Sequence, residues 1–202
     1  MQWLLVVCFA SFSIFANNLD LIKYSTLQGQ FWQKNIISGE TIDKRKGRFY
    51  IKDSGESRWE INVDSKFKKI LLTTNKQKLM MVDPQLEQIV FHDYKDIPLL
   101  KNLVMFDFNN AQQEFIASSL ANQGHLKVFK LLPKQASVNY EYVLLYIDNG
   151  LVSKIKIYRG SDEAVLIEFS NVKVDEFIDS NKFIFVIPKN YDVVKSKKAN
   201  EL

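Results

Sequence analysis

The chain of 202 residues holds one cysteine, two histidines, seven glycines and four prolines. Each scarcity closes a class of function. Cys8 lies inside the apolar N-terminal run, and Val7 precedes it where an acylation signal would place a small residue. A mature chain that begins after that run has no disulfide, no thiolate nucleophile and no cysteine-based metal site. His92 and His125 stand far apart and in no metal-ligand spacing, and no G-x-S-x-G elbow is present for a histidine to serve. The glycines are scattered through turns, so no phosphate-cradling loop is expected. Carboxylates such as Asp107 and Glu114 read as caps and surface charges. The expectation is a protein that is not an enzyme and needs no cofactor and no metal.

Charge of one sign is also scarce. Twenty-seven basic residues against 23 acidic ones leave +4. The local concentrations Lys44–Arg45–Lys46, Lys66–Lys68–Lys69 and Lys195–Lys197–Lys198 read as solvated loops, edges or tail. Nucleic acid as a partner is not expected, because that surface needs a denser basic face with stacking aromatics. Long apolar runs occur only at the start. Met1–Ala16 is uncharged and apolar, fits a signal peptide without its usual basic residue, and is too short to span a bilayer comfortably. The competing reading is a buried N-terminal helix. With residues 1–16 read as a removed signal peptide, residues 17–202 form one exported domain, large enough for a substantial core. The strongest later run, Tyr142–Ile147, has the length of a strand.

What the chain has in plenty is strand pattern. A short helix is expected over Leu19–Gln28, then β-structure over Gly29–Ile37 and Gly47–Ile51, parted by Ser38-Gly39. Arg58–Val63 alternates strictly, with Trp59, Ile61 and Val63 on one face. Lys69–Thr73, Lys78–Val82 and Leu86–Phe91 follow. After a break, strands resume at Leu126–Leu132, Tyr140–Asp148, Leu151–Tyr158 and Ala164–Val174, with Lys182–Ile187 last. Asp148-Asn149-Gly150 is a strong hairpin turn. Such closely spaced strands predict an antiparallel meander curved into a barrel or half-barrel. The break itself predicts two helices. The first starts at Asp96-Ile97-Pro98 and carries Leu99, Leu100, Leu103 and Val104; the second runs from Asn110 to near Gly124. A helical insert between two sets of strands is a lid or plug candidate. Fifteen Phe, three Trp and four Met leave two readings open, an ordinary core or a hydrocarbon cavity under the Pro98–Phe106 helix.

Several segments carry a resemblance. Gly29-Gln30-Phe31-Trp32-Gln33, then Gly47-Arg48-Phe49-Tyr50-Ile51-Lys52, then Ser57-Arg58-Trp59-Glu60-Ile61 open the series. Val82-Asp83-Pro84-Gln85-Leu86-Glu87-Gln88 and Leu131-Leu132-Pro133-Lys134 continue it, and Lys182–Pro188 with Tyr191-Asp192-Val193 ends it. In order and spacing these resemble the periplasmic outer-membrane lipoprotein carrier family, LolA. The resemblance implies a mostly β, α+β fold, a single unclosed antiparallel β-barrel with a helical lid over an apolar cavity, the lid helices falling at about 97–122. It implies a monomeric periplasmic chaperone whose partners are acylated lipoprotein cargo, the inner-membrane LolCDE release complex and the outer-membrane receptor LolB. The cavity is expected to be lined by Phe49, Ile51, Trp59, Ile61, Ile70, Leu72, Leu99, Leu100 and Leu103. Where the family usually has Arg-Pro before the Trp strand, and that Arg holds the lid, Asp53-Ser54 stand here. Arg58 or Lys52 is the expected substitute for that lid contact. Asn75, Met80, Val82 and Asn190 depart from the family pattern as well. The alternative function is a regulatory sensor or another lipid-binding protein on the same fold.

Overall fold

Ser38 and Gly39 both take positive φ, 51° and 84°, and fold the chain back on itself between two long strands, β1 (Thr26–Ile37) and β2 (Glu40–Lys52). Two left-handed residues match the right-handed twist of the strands they join. The computed structural model of the chain describes residues 19, 21–62, 68–74, 78–93, 106–108, 113–135 and 140–195, with 68–74 described by their backbone alone. Beyond the hairpin run β3 (Ser57–Asn62), β4 (Lys68–Thr74), β5 (Lys78–Asp83) and β6 (Gln88–Asp93). The second half supplies β7 (Phe115–Ser119), β8 (Lys127–Pro133), β9 (Tyr142–Asp148), β10 (Leu151–Tyr158), β11 (Glu163–Val174) and β12 (Asp192–Lys195). They form one sheet in the order β12-β6-β5-β4-β3-β2-β1-β11-β10-β9-β8-β7. Every pairing is antiparallel except that of β12 with β6. β7 and β12 remain as its two edges, so the sheet is not closed.

Period-two alternation decides which face is buried. Leu27 and Phe31 on β1, Phe49 and Ile51 on β2, and Val143, Leu145 and Ile147 on β9 all belong to one buried cluster with Trp59 and Leu79. The sheet must curl for this to happen. Trp59 on β3 and Phe169 on β11 are three strand steps apart, roughly 14 Å on a flat sheet, yet their rings lie 6.1 Å apart. Two glycines permit the approach. A Cβ at Gly47 would collide with the Glu60 carbonyl and the Phe31 ring, and one at Gly29 would sit 3.0 Å from the Phe49 ring. A bulge in β11, with Asn171 at φ 51°, shifts the register so that Val172 and Val174 pack against the same cluster as Phe169.

Three expected elements differ. Leu19–Gln28 is not a helix: Leu19 and residues 21–24 are irregular, and Thr26 already pairs with Lys52. Leu19 is buried while Ile22 is half-exposed and donates its N–H to the Gly150 carbonyl, so contacts with the sheet override the loose helical spacing. The second lid helix is replaced by β7, where Phe115 is buried, Ile116 faces outward, and the ladder to β8 supplies the backbone partners. The capping pattern at Asn110 and Gln113 is a weaker signal than that alternation. Lys182–Ile187 alternates as a strand would but forms no ladder. It begins in a 3-10 turn, Ser180–Phe183, capped by Asp179, and pairing starts only at Asp192. The signal peptide, residues 1–16, and the first lid helix up to residue 105 lie outside the described residues.

Candidate functional site

The concave face narrows to a cluster of rings. Phe49 sits at its floor, 5.2 Å from Trp59 and 5.6 Å from Phe169. Phe31 closes on Trp59 at 5.1 Å. These four come from β1, β2, β3 and β11, each at an inward position of its alternation. Over them lies Phe106, from the segment between β6 and β7. Its ring is nearly parallel to that of Phe49, 5.6 Å away with 8° between planes, and 4.8 Å from Phe169. Phe108 follows, edge-on to Phe106 at 6.0 Å. Offset-stacked and edge-to-face pairs of this kind each add about 0.5–1.5 kcal/mol beyond burial.

Phe106 is held under backbone strain. Its φ is 53°, the left-handed region that a bulky side chain avoids. The ring stack stabilises that conformation, helped by a long hydrogen bond of 3.5 Å from the Tyr24 hydroxyl to the Phe106 carbonyl. Burial, with smaller contributions from Asp107 and Asp53, pushes the Tyr24 phenol well above its ordinary pKa, so it stays a neutral donor.

Among the residues expected to line a cavity, Phe49, Ile51 and Trp59 are together on this face at 0%, 1% and 3% exposure, with Ile61 partly buried beside them. The backbone register pairs position 70 with Glu60 and Val82, and position 72 with Arg58 and Met80. Leu99, Leu100 and Leu103 lie outside the described residues. Sequence reasoning passed over Phe31, Phe106, Phe108 and Phe169. Phe169 was legible as the continuation of Val165 and Ile167, whereas Phe106 shows nothing locally that places it against β2. Arg58 and Lys52 reach the C-terminal turn. Arg58 Nη1 donates to the Lys182 carbonyl at 3.0 Å while Nε pairs with Glu60 at 2.9 Å, and Lys52 Nζ lies 3.0 Å from Ser180 Oγ. Among the described residues no group of three His, Cys, Asp or Glu side chains is placed to hold a metal ion.

An open, almost wholly antiparallel sheet rolled around a bed of aromatic rings, with a separate segment resting on them, defines a class of unclosed β half-barrels. Over residues 23–186 the chain matches the family described as outer membrane lipoprotein carrier protein LolA, and it belongs to that family. It is 26% identical over 178 residues to an outer-membrane lipoprotein carrier protein of Pseudomonas paraeruginosa, covering 87% of this chain and 84% of that one. It is 27% identical over 179 residues to the protein of the same description from Pseudomonas entomophila, covering 87% and 84%. Among solved structures, an uncharacterized conserved protein from Thermus thermophilus superposes with a TM-score of 0.54 at 12% identity, over 89% of this chain and 93% of that one. That likeness concerns the fold alone.

Proposed function

We propose that this protein is a periplasmic carrier that takes the acyl chains of lipoproteins onto its concave face and passes them on without catalysis. The inner-membrane LolCDE complex is the proposed donor and LolB the proposed acceptor. The observation that carries this reading is Phe106, a strained residue whose ring rests on Phe49, Trp59 and Phe169. On this reading Phe106 rests where cargo is taken up and keeps an apolar patch from water.

Magnitudes favour exchange. Burying one Phe side chain is worth about 1.5–3 kcal/mol, whereas a sixteen-carbon acyl chain gains roughly 12 kcal/mol at ~0.8 kcal/mol per methylene. Cargo therefore displaces Phe106 and Phe108 with energy to spare, and relief of the left-handed backbone adds to the drive. Release needs only an acceptor of equal apolar depth. Cavity-lining roles for Phe49, Ile51, Trp59 and Ile61, and for Leu99, Leu100 and Leu103, belong to the same reading.

The test is intact-mass analysis of protein purified from periplasm without detergent, followed by incubation with LolB. Acylated polypeptide that co-purifies and moves to LolB supports the carrier. Clean protein that also fails to release lipoprotein from inner-membrane vesicles would exclude it and favour a regulatory sensor on the same fold.

A further inference from the structure

The face of the sheet turned away from the core has its own pattern. From β8 to β2 the register aligns one row across six strands: Lys130, Leu144, Lys156, Leu166, Lys34 and Lys44. The adjacent row sets Tyr146 and Lys154 beside Glu168, Trp32 and Lys46. These rows hold six lysines against one carboxylate, a surplus of five that exceeds the +4 of the entire chain. The remaining residues of the chain therefore sum to a slight negative charge.

The lysines lie on aromatic rings. Lys44 and Lys46 stand 4.3 and 6.0 Å from the Trp32 ring, and Lys154 lies 4.0 Å over Tyr146. Lys130 is 4.2 Å over Tyr142 and Lys156 4.6 Å over Tyr158, with those two phenols stacked at 4.3 Å. Lys34 is the exception, bound to Glu168 at 2.7 Å. Trp32, which is 39% exposed, lies on β1, one strand in from the β2 end of the array.

We propose that this outer face docks onto a membrane surface rich in anionic phospholipid. Clusters of four to eight basic residues attract anionic headgroups, and Trp and Tyr are the side chains that settle at the headgroup level. A protein partner fits worse, because lysine is depleted from the cores of protein–protein interfaces. Docking by this face leaves the concave side and both sheet edges uncovered, so the protein can meet a membrane while the ring bed stays open to exchange. The inference does not rest on the carrier reading, since it needs no cargo.

Flotation of the protein with phosphatidylcholine vesicles, with and without a third of phosphatidylglycerol, tests it at low and high salt. Binding is expected only with phosphatidylglycerol and is expected to fall as salt rises. Removing one lysine charge should weaken partition roughly fivefold, so Lys154→Gln with Lys156→Gln should cost about 25-fold. Lys189→Gln with Lys195→Gln removes the same charge elsewhere and should leave binding nearly intact. A second readout keeps every lysine of the array: the fluorescence of the wild-type protein should shift to the blue on anionic vesicles, a shift that Trp32→Phe abolishes. Absence of flotation at low salt, equal loss in both lysine pairs, or flotation without a Trp32-dependent shift each overturns the proposal. So does retention by polyglutamate with no binding to vesicles, which would assign the face to an acidic polypeptide instead.

Discussion

Two apolar patches on this sheet are covered by the chain's own residues, and they are covered in opposite ways. The smaller, Met80, Val82 and Ile89 on β5 and β6, is covered by Phe185 and Tyr191 of the C-terminal segment. That segment is fastened by polar bonds. β12 pairs with β6 along Asp192–Lys195, Arg58 holds the Lys182 carbonyl, and Lys52 bonds Ser180 and lies 4.9 Å over the Phe183 ring. The larger patch, around Phe49 and Trp59, is covered at its centre by Phe106, which among the described residues is held by ring contacts and a long bond from Tyr24. Backbone ladders resist exchange because each opened group must find a new partner. Ring contacts do not, since a hydrocarbon chain replaces them with nothing left unsatisfied. On the carrier reading, the first cover acts as a seam and the second is suited to yield.

The strongest way to break this contrast is to remove the floor that Phe106 rests on. Trp59→Ala should lower stability by about 3–5 kcal/mol, the usual cost of an emptied aromatic site, and should abolish acyl-chain binding, as read by denaturant titration and a fluorescent fatty-acyl probe. A loss of stability with undiminished probe binding would mean that cargo sits elsewhere. Phe106→Gly addresses the cover itself. It removes the ring and frees a backbone at φ 53°, so the empty protein should lose about 2–3 kcal/mol of burial while acyl affinity rises roughly tenfold. Weaker binding in Phe106→Gly would show that the ring contacts cargo instead of standing in for it.

The seam should respond differently. Arg58→Met deletes the bond to Lys182 and the Glu60 ion pair, and should destabilise by about 1.5–2 kcal/mol. Faster amide exchange should be confined to β12 and the segment before it, with probe affinity unchanged. If affinity changes as well, the two covers communicate, and Arg58 acts on the concave face from behind.

Most of the sheet was legible in the sequence because strands announce themselves through alternation. Arg58–Asn62 and Leu151–Tyr158 needed no tertiary information, and Asn149-Gly150 set its own turn, at φ 47° and 79°. The failures have a common cause. Over Leu19–Gln28 and 110–124 the helical signal consists of caps and loosely spaced apolar residues, and in both the long-range ladder prevails. The ring bed was half legible. Phe49 and Trp59 follow from alternation, whereas the curl that brings Phe169 to Trp59, and the strained turn that seats Phe106, depend on partners far away in sequence.

The last prediction separates the two covers by pH. Tyr24 is driven upward by burial first and by Asp107 and Asp53 second, so its proton is bound more tightly in the folded protein than in the unfolded chain, where it leaves near the ordinary phenol value of 10.0. A group of this kind contributes stability that is complete below the unfolded pKa and is lost as pH climbs toward the folded one. Below about pH 10 the phenol should therefore have no pH-dependent effect, and above it the native state should weaken as the unfolded phenol ionises. Tyr24→Phe should reduce that alkaline limb, leaving the part due to Tyr142 and Tyr146, whose phenols burial also pushes up, while costing little at neutral pH, because the bond to Phe106 is long at 3.5 Å. The effect should also be local. Raising the pH above about 10 should speed exchange around Phe106 before it does so in β12, and in Tyr24→Phe that order should disappear. Simultaneous loosening of both segments would mean that the yielding cover and the seam open as one unit, and that the difference in their fastening has no bearing on how the protein opens.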